Sequence, residues 1–166
     1  MTTTPLVQIV LGSASDMEMA GHCRQTLKHF GIEHEVTISS AHRSPDRTAD
    51  LARTAEGRGI RVLIAMAGGA AHLAGVIAAH TVLPVIAVPL AATPLAGFDA
   101  LLSSVQMPPG VPVATVAVGR FGAENAAVLA AQIIALSDPS LRKKLQEFKL
   151  ELAKKVEESD RQAKRG

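Results

Sequence analysis

LVQIVLGSASD, residues 6–16, passes from a continuous apolar run into a turn of small residues that ends on a carboxylate. The apolar run predicts a strand that is buried on both faces, as in a parallel sheet. The turn has two interpretations. Gly12 and the hydroxyls of Ser13 and Ser15 can serve only to begin a helix, or the same hydroxyls and backbone amides can hold an anion at the helix N-terminus. This stretch alone does not choose between them.

Short apolar runs alternate with longer helical patterns along the rest of the chain. We expect strands at residues 7–11, 33–38, 62–66, 85–88 and 113–117, helices at 16–30, 45–58, 72–80 and 123–135, and a charged C-terminal helix at about 139–160. This alternation predicts an α/β fold, a three-layer, doubly wound parallel sheet of about five strands, flavodoxin-like or Rossmann-like. We expect a single domain over residues 1–166 with its core at about 6–137. Asp99 is expected to cap a short helix through Leu102.

Composition limits the classes of partner. With 17 Lys and Arg against 15 Asp and Glu, four Phe and no Trp or Tyr, the chain lacks the basic excess and aromatic platforms that nucleic acid needs. The lone Cys23 is expected to be a small helix residue, not a nucleophile, and with no apolar leader we expect a cytoplasmic protein.

One long region is almost free of charge. Between Arg61 and Arg120 the only Asp, Glu, Lys or Arg is Asp99. Glycines and prolines divide this region into pieces too short to cross a bilayer as one helix, so we expect no membrane segment. A soluble monomer rarely leaves so much apolar surface exposed, and the region therefore predicts an obligate homo-oligomer.

The loops that follow the first three strands should converge, because ligands of doubly wound sheets bind beyond the carboxyl ends of the strands. These loops read GSASD (12–16), SSAHRS (39–44) and AGGAAHLAG (67–75). In the second loop, Arg43 and Ser40 suit a phosphate. His42 can exchange a proton near neutral pH, although a plain surface histidine fits the loop equally well.

The third loop offers mostly bare backbone. Its glycines and alanines let a ligand approach the amides from Gly69 to His72 at a helix N-terminus. His72 could contact a ligand, bond the helix start or act as an acid or base. We expect a contact or structural role rather than proton transfer.

With GSASD, SAHRS and GGAAHL in this order, followed by SSVQMPPGVPVATVAVG (103–119), the chain resembles the PurE family of purine biosynthesis from about Val7 to Leu136. GGAAHL is similar to the bacterial mutase branch, class I. The resemblance implies an isomerase that converts N5-carboxyaminoimidazole ribonucleotide to 4-carboxy-5-aminoimidazole ribonucleotide without metal or cofactor. It also implies a homo-octamer with sites at the subunit contacts.

The same resemblance implies roles for single residues. His42 would be the catalytic acid and base. Arg43 would bind the phosphate with three serines, Asp16 would bind the ribose, and the third loop would hold the migrating carboxyl group. The substrate-binding residues would be Ser13, Ser15, Asp16, Ser40, Arg43, Gly68, Gly69, Ala70, Ala71, His72 and Leu73.

The chain departs from the family pattern around the third loop and after the fourth strand, where we expect effects on pocket shape. The departures are Met66, Ala74, Ala87, residues 91–94 and Ala100. Two alternative functions stay open. One is direct carboxylation of aminoimidazole ribonucleotide with carbon dioxide, which the third loop disfavours. The other is a flavodoxin-like flavin or nucleotide binder without catalysis, which the lack of Trp and Tyr disfavours.

Overall fold

A five-stranded sheet lies at the centre of the structure, a computed structural model that describes residues 4–165. All of its strands are parallel and their order is β2-β1-β3-β4-β5. The strands are β1 Val7–Leu11, β2 His34–Ile38, β3 Val62–Gly68, β4 Val85–Leu90 and β5 Ala114–Thr115. This is the flavodoxin-like order, so the predicted doubly wound parallel sheet is confirmed. The predicted domain also includes residues 1–3 and 166, which lie outside the described range.

Helices cover both faces of this sheet. They are α1 Met17–Phe30, α2 Pro45–Thr54, α3 Leu73–Ala78, α4 Phe98–Val105, α5 Arg120–Ile134 and α6 Pro139–Ala163. Helices α1 and α5 pack on one face, where Ile9 of β1 meets a row of small α5 alanines. Helices α2 and α3 pack on the other face, around Val10 and Leu63. Strands buried on both faces explain the continuous apolar runs in the sequence.

The helix ends follow local signals. Gly31, at a φ of 73°, ends α1 in the left-handed conformation that glycine adopts without strain. Pro45 and Pro139 stand at the first positions of α2 and α6. Asp138 caps α6, since its carboxylate accepts hydrogen bonds from the Ser140 and Leu141 amides at 2.9 and 3.0 Å.

Several boundaries differ from the prediction, because packing contacts that the local pattern does not reveal act on them. Strand β3 continues to Gly68, where it still pairs with Leu90 of β4. Strand β5 shrinks to two residues at the sheet edge. Helix α5 begins at Arg120, and a Cβ on Gly122 would lie only 1.7 Å from the Ala117 carbonyl oxygen, which shows how tightly this turn packs.

Asp99 does not cap α4, which corrects the prediction. Gly97, at a φ of 86°, occupies the N-cap position, and the helix continues to Val105. The Asp99 carboxylate instead accepts a hydrogen bond from the Thr93 hydroxyl at 2.7 Å. The side chain is therefore engaged by the loop that precedes the helix.

Helix α6 leaves the body of the protein. Its Leu141 is buried and Phe148 packs against the core, whereas residues 149–165 are all exposed. No helix within residues 4–165 is both long and apolar enough to cross a membrane.

Candidate active site

The three predicted loops meet at the carboxyl edge of the sheet. The Arg43 guanidinium donates to the Gly12 carbonyl at 3.1 Å, which joins the second loop to the first. The side chains of His42 and His72 lie 2.7 Å apart, from Nε2 to Nδ1, which joins the second loop to the third. The residues predicted from separate loops thus form one continuous surface.

The first loop is held by its own side chains. Asp16 accepts from the Ser13 amide at 3.0 Å and from the Ser15 hydroxyl at 3.2 Å. The Ser13 hydroxyl accepts from the Ser15 amide at 3.4 Å, and a short 3-10 turn, Ala14–Asp16, leads into α1. The geometry of GSASD is thus that of a turn that begins a helix. The Asp16 carboxylate holds this turn together, and its contact with ribose stays a prediction.

An open cavity of about 470 Å³ lies between the first and second loops. It includes three predicted substrate-binding residues, Ser13, Ser40 and Arg43, and also Arg47, which the sequence interpretation missed. The RSPDR sequence held a usable signal, because Pro45 marks the helix start and puts Arg47 in the first turn of α2.

His42 and His72 form a hydrogen-bonded pair of imidazoles. Their rings meet edge to face at an angle of 81°, with centroids 4.9 Å apart, and both side chains are exposed. In such a contact one ring nitrogen donates and the other accepts, so the two rings share one proton. Nδ1 of His42 and Nε2 of His72 are the ring nitrogens that this contact does not use.

The third loop has an unusual backbone. Gly69 and Ala71 both have positive φ angles, 62° and 43°, and the latter is uncommon for a residue with a side chain. Gly68 lies so close to the segment after β4 that a Cβ there would be 2.4 Å from the Cβ of Ala92. Ala92 and Thr93 thus form a wall beside this loop.

Not every predicted third-loop side chain faces the site. Leu73 is 2% exposed and packs in the core between α3 and the sheet, so its backbone is the part available to a ligand. Met66 and Ala74, two of the departures from the family pattern, are also core residues. Ala70 and His72 are exposed. Within residues 4–165, no cluster of three His, Cys, Asp or Glu residues is placed to hold a metal ion.

Known proteins match this chain over nearly its whole length. A sequence profile of the AIR carboxylase family matches residues 6–155. The chain belongs to the AIR carboxylase family. Among its relatives, N5-carboxyaminoimidazole ribonucleotide mutase of Pyrococcus horikoshii is 51% identical over 154 residues, 93% of this chain and 86% of that protein. The Bacillus subtilis mutase is 50% identical over 158 residues, 95% of this chain and 98% of that protein.

The fold of this AIR carboxylase family member also has a solved counterpart. The crystal structure of Treponema denticola PurE superposes with a TM-score of 0.86 at 33% identity, over 95% of this chain and 98% of that one. The resemblance read from the three loop motifs is therefore confirmed. All three loops lie inside the matched residues.

Proposed function

We propose that this protein is an N5-carboxyaminoimidazole ribonucleotide mutase, an isomerase of purine biosynthesis. The observation that carries the proposal is the His42–His72 pair, 2.7 Å apart, beside a loop of glycines and alanines. Relatives that are about half identical over most of the chain bear the mutase name, which supports the same reaction here.

The first step releases carbon dioxide. His42 in its protonated form donates a proton to the exocyclic nitrogen that carries the carboxyl group. The carbon–nitrogen bond breaks, its electron pair stays on that nitrogen, and carbon dioxide and aminoimidazole ribonucleotide remain in the site. His42 is now neutral and ready to act as a base.

The second step forms the new bond. Carbon 4 of the electron-rich ring attacks the same carbon dioxide molecule, and the neutral His42 then removes the proton from carbon 4, which restores the aromatic ring. His42 ends in the protonated form in which it began, so the reaction neither gains nor loses a proton. His72 orients His42 through their hydrogen bond, and the backbone amides of Gly69 and Ala70 hold the migrating carboxylate.

The other predicted contacts position the ribonucleotide. Ser13, Ser15, Ser40 and Arg43 bind the phosphate, and Asp16 binds the ribose, since a carboxylate beside the phosphate would repel it. Held in this way, the reacting ring and the released carbon dioxide stay in contact at a high effective concentration.

The working form in our proposal is a cytoplasmic homo-octamer with the ribonucleotide as its other partner. Support comes from an exposed apolar surface on α4 and the turn before it. It is formed by Leu95, Phe98, Leu102 and Val105, whose exposed fractions range from 48% to 66%. The site residues His42, Arg43 and His72 are also exposed in the single chain. Retention of carbon dioxide needs a closed site, and other copies of the chain can provide that cover.

The deciding experiment mixes the purified protein with freshly made N5-carboxyaminoimidazole ribonucleotide, without ATP or added bicarbonate. We expect the ultraviolet absorbance of the 4-carboxy product to rise far faster than in buffer. Product that forms only from aminoimidazole ribonucleotide and bicarbonate would instead identify a direct carboxylase. No product in either assay would favour the binding protein without catalysis.

His42→Asn tests the role of the catalytic histidine in the same assay. We expect kcat to fall by about 100-fold or more, while the variant still binds the ribonucleotide, because general acid–base catalysis supplies a factor of this size. The matched control is His29→Asn, an exposed histidine beside Phe148 on a different face. If His42→Asn kept most of its activity, the proton-transfer role would be wrong.

A further inference from the structure

The cavity between the first and second loops carries two guanidinium groups. Arg43 and Arg47 both line it, and none of its lining residues is a carboxylate. The carboxylate of the first loop, Asp16, is occupied by the Ser13 amide and the Ser15 hydroxyl. Two positive groups without a negative one suit a ligand with two negative charges, such as a phosphate monoester.

Arg43 is already partly committed inside the protein. Its guanidinium donates to the Gly12 carbonyl at 3.1 Å and to the Ser40 hydroxyl at 3.4 Å. The Ser44 hydroxyl is occupied as well, because it bonds the amide and the carbonyl of Ser40, each at 3.0 Å. Some of the N–H donors of Arg43 are therefore occupied in joining the first loop to the second.

Arg47 has no such commitment. Within the described residues its exposed guanidinium makes neither a hydrogen bond nor an ion pair, and the nearby Asp50 pairs with Arg53 at 3.1 Å. Arg47 is the third residue of α2. Side chains in a helix lean towards its N-terminus, and this lean directs Arg47 back to the second loop and the cavity.

Arg47 also borders a second open cavity, of about 570 Å³, beside β2 and α2. The carboxylates there are Glu35 and Asp50, and each is already paired, with Arg58 and Arg53 respectively. The second cavity therefore leaves no unpaired carboxylate to hold Arg47 away from the first.

We propose that Arg47 is a further phosphate-binding residue, whose guanidinium contacts the phosphate of the ribonucleotide on the side opposite Arg43. This inference rests on the proposed function, since it adds a residue to the same substrate site. Arg43 ties the loops and provides one side of the clamp. Arg47 supplies the uncommitted donors of the other side.

The test compares Arg47→Gln with Arg53→Gln, which removes the same charge from the same helix at a position paired with Asp50. Titration calorimetry measures binding of ribose 5-phosphate, and the mutase assay measures KM and kcat. We expect Arg47→Gln to weaken ribose 5-phosphate binding about tenfold and to raise KM to a similar extent, with kcat within about twofold. Arg47→Lys should recover part of the affinity, and Arg53→Gln should stay near the wild type.

The outcomes separate this inference from the proposed function. Unchanged ribose 5-phosphate binding in Arg47→Gln, equal weakening in Arg53→Gln, or no binding to the wild type would each overturn the role of Arg47. A fall in kcat with unchanged KM would overturn it too. A wild-type protein that binds ribose 5-phosphate through Arg47 but shows no mutase turnover would refute the proposed function and leave the phosphate contact standing.

Discussion

Gly68 controls how closely the third loop packs against the segment that follows β4. A Cβ at this position would lie 2.4 Å from the Cβ of Ala92 and 3.1 Å from the Leu90 carbonyl oxygen. Both partners belong to β4 or the residues just after it, so one of the two segments must move to admit a methyl group. Movement here would displace the third-loop amides that we propose hold the carboxyl group.

Gly68→Ala is therefore expected to lower kcat by about tenfold or more, because small displacements of positioning groups cost this much in rate. The control is Gly21→Ala in α1, where an added Cβ has no neighbour within 4 Å. Steady-state assays of both variants test the idea, and a Gly68→Ala enzyme as active as Gly21→Ala would contradict it.

The thiol of Cys23 is made unreactive by its buried position. It lies in α1 with 0% of its surface exposed, and burial raises the pKa of its thiol to about 12. Since the thiolate is the reactive form, we expect no reaction of the folded protein with a disulfide reagent at about pH 8. One thiol per chain should react after denaturation, and rapid reaction of the folded protein would be the contrary result.

At the scale of elements, the segment 91–97 between β4 and α4 is held by several hydrogen bonds, and the Thr93 side chain makes two of them. Its last two residues, Ala96 and Gly97, have positive φ angles of 52° and 86°. The Thr93 hydroxyl donates to Asp99 at 2.7 Å and accepts from the Leu95 amide at 3.1 Å. This contact positions the wall beside the third loop.

The Thr93–Asp99 contact predicts a pH dependence of stability. The hydrogen bond from Thr93, more than that from the Ala100 amide, holds the pKa of Asp99 below its ordinary value of 3.8, while partial desolvation acts in the opposite direction. A lowered pKa means that the ionised carboxylate stabilises the fold above the ordinary pKa, and that this stabilisation is lost as pH falls through the lowered one.

Asp99→Asn should therefore unfold at a lower temperature than the wild type at pH 7, and the gap should narrow as the pH falls below 3.8. Thermal unfolding of both proteins across this range measures the gap. Thr93→Val provides the comparison, because it removes the main cause of the lowered pKa. A gap that stays constant with pH would show that the charge of Asp99 contributes nothing.

At the scale of the whole molecule, the outer face of α4 is one apolar surface that a single chain leaves uncovered. Phe98, Leu102 and Val105 repeat at helical spacing, and all three are about half exposed or more. An exposed apolar stripe of this kind usually marks a protein interface. Because α4 follows directly after the segment 91–97 that borders the third loop, we expect loss of this interface to lower catalytic activity as well as assembly.

Leu102→Glu is expected to reduce the molar mass of the assembly measured by light scattering and to lower mutase activity, because a charge in an apolar interface is costly. Gln132→Glu, at an exposed position of α5, serves as the control. Circular dichroism shows that each chain remains folded. An unchanged assembly in Leu102→Glu would exclude this face as an interface.

The sequence by itself determined the strands, the helices and the edge where the site lies, because these depend on local signals. The apolar run before GSASD, Gly31 after α1 and Pro45 before α2 act over a few residues, and the motif order was enough to indicate the family. Boundaries moved where a remote partner decides them, as at Gly68 with Leu90.

Only the tertiary structure decided which side chains act together. His42 and His72 are 30 residues apart in the chain, and their hydrogen bond exists only because β2 and β3, which lie on either side of β1, end at the same edge of the sheet. Arg43 reaches the Gly12 carbonyl across 31 residues, which leaves Arg47 as the uncommitted cation of the cavity. The hydrophobic pattern and the residue propensities of a segment indicate the backbone conformation of that segment alone. These contacts depend instead on distances between segments, and the packing of the whole chain sets those distances.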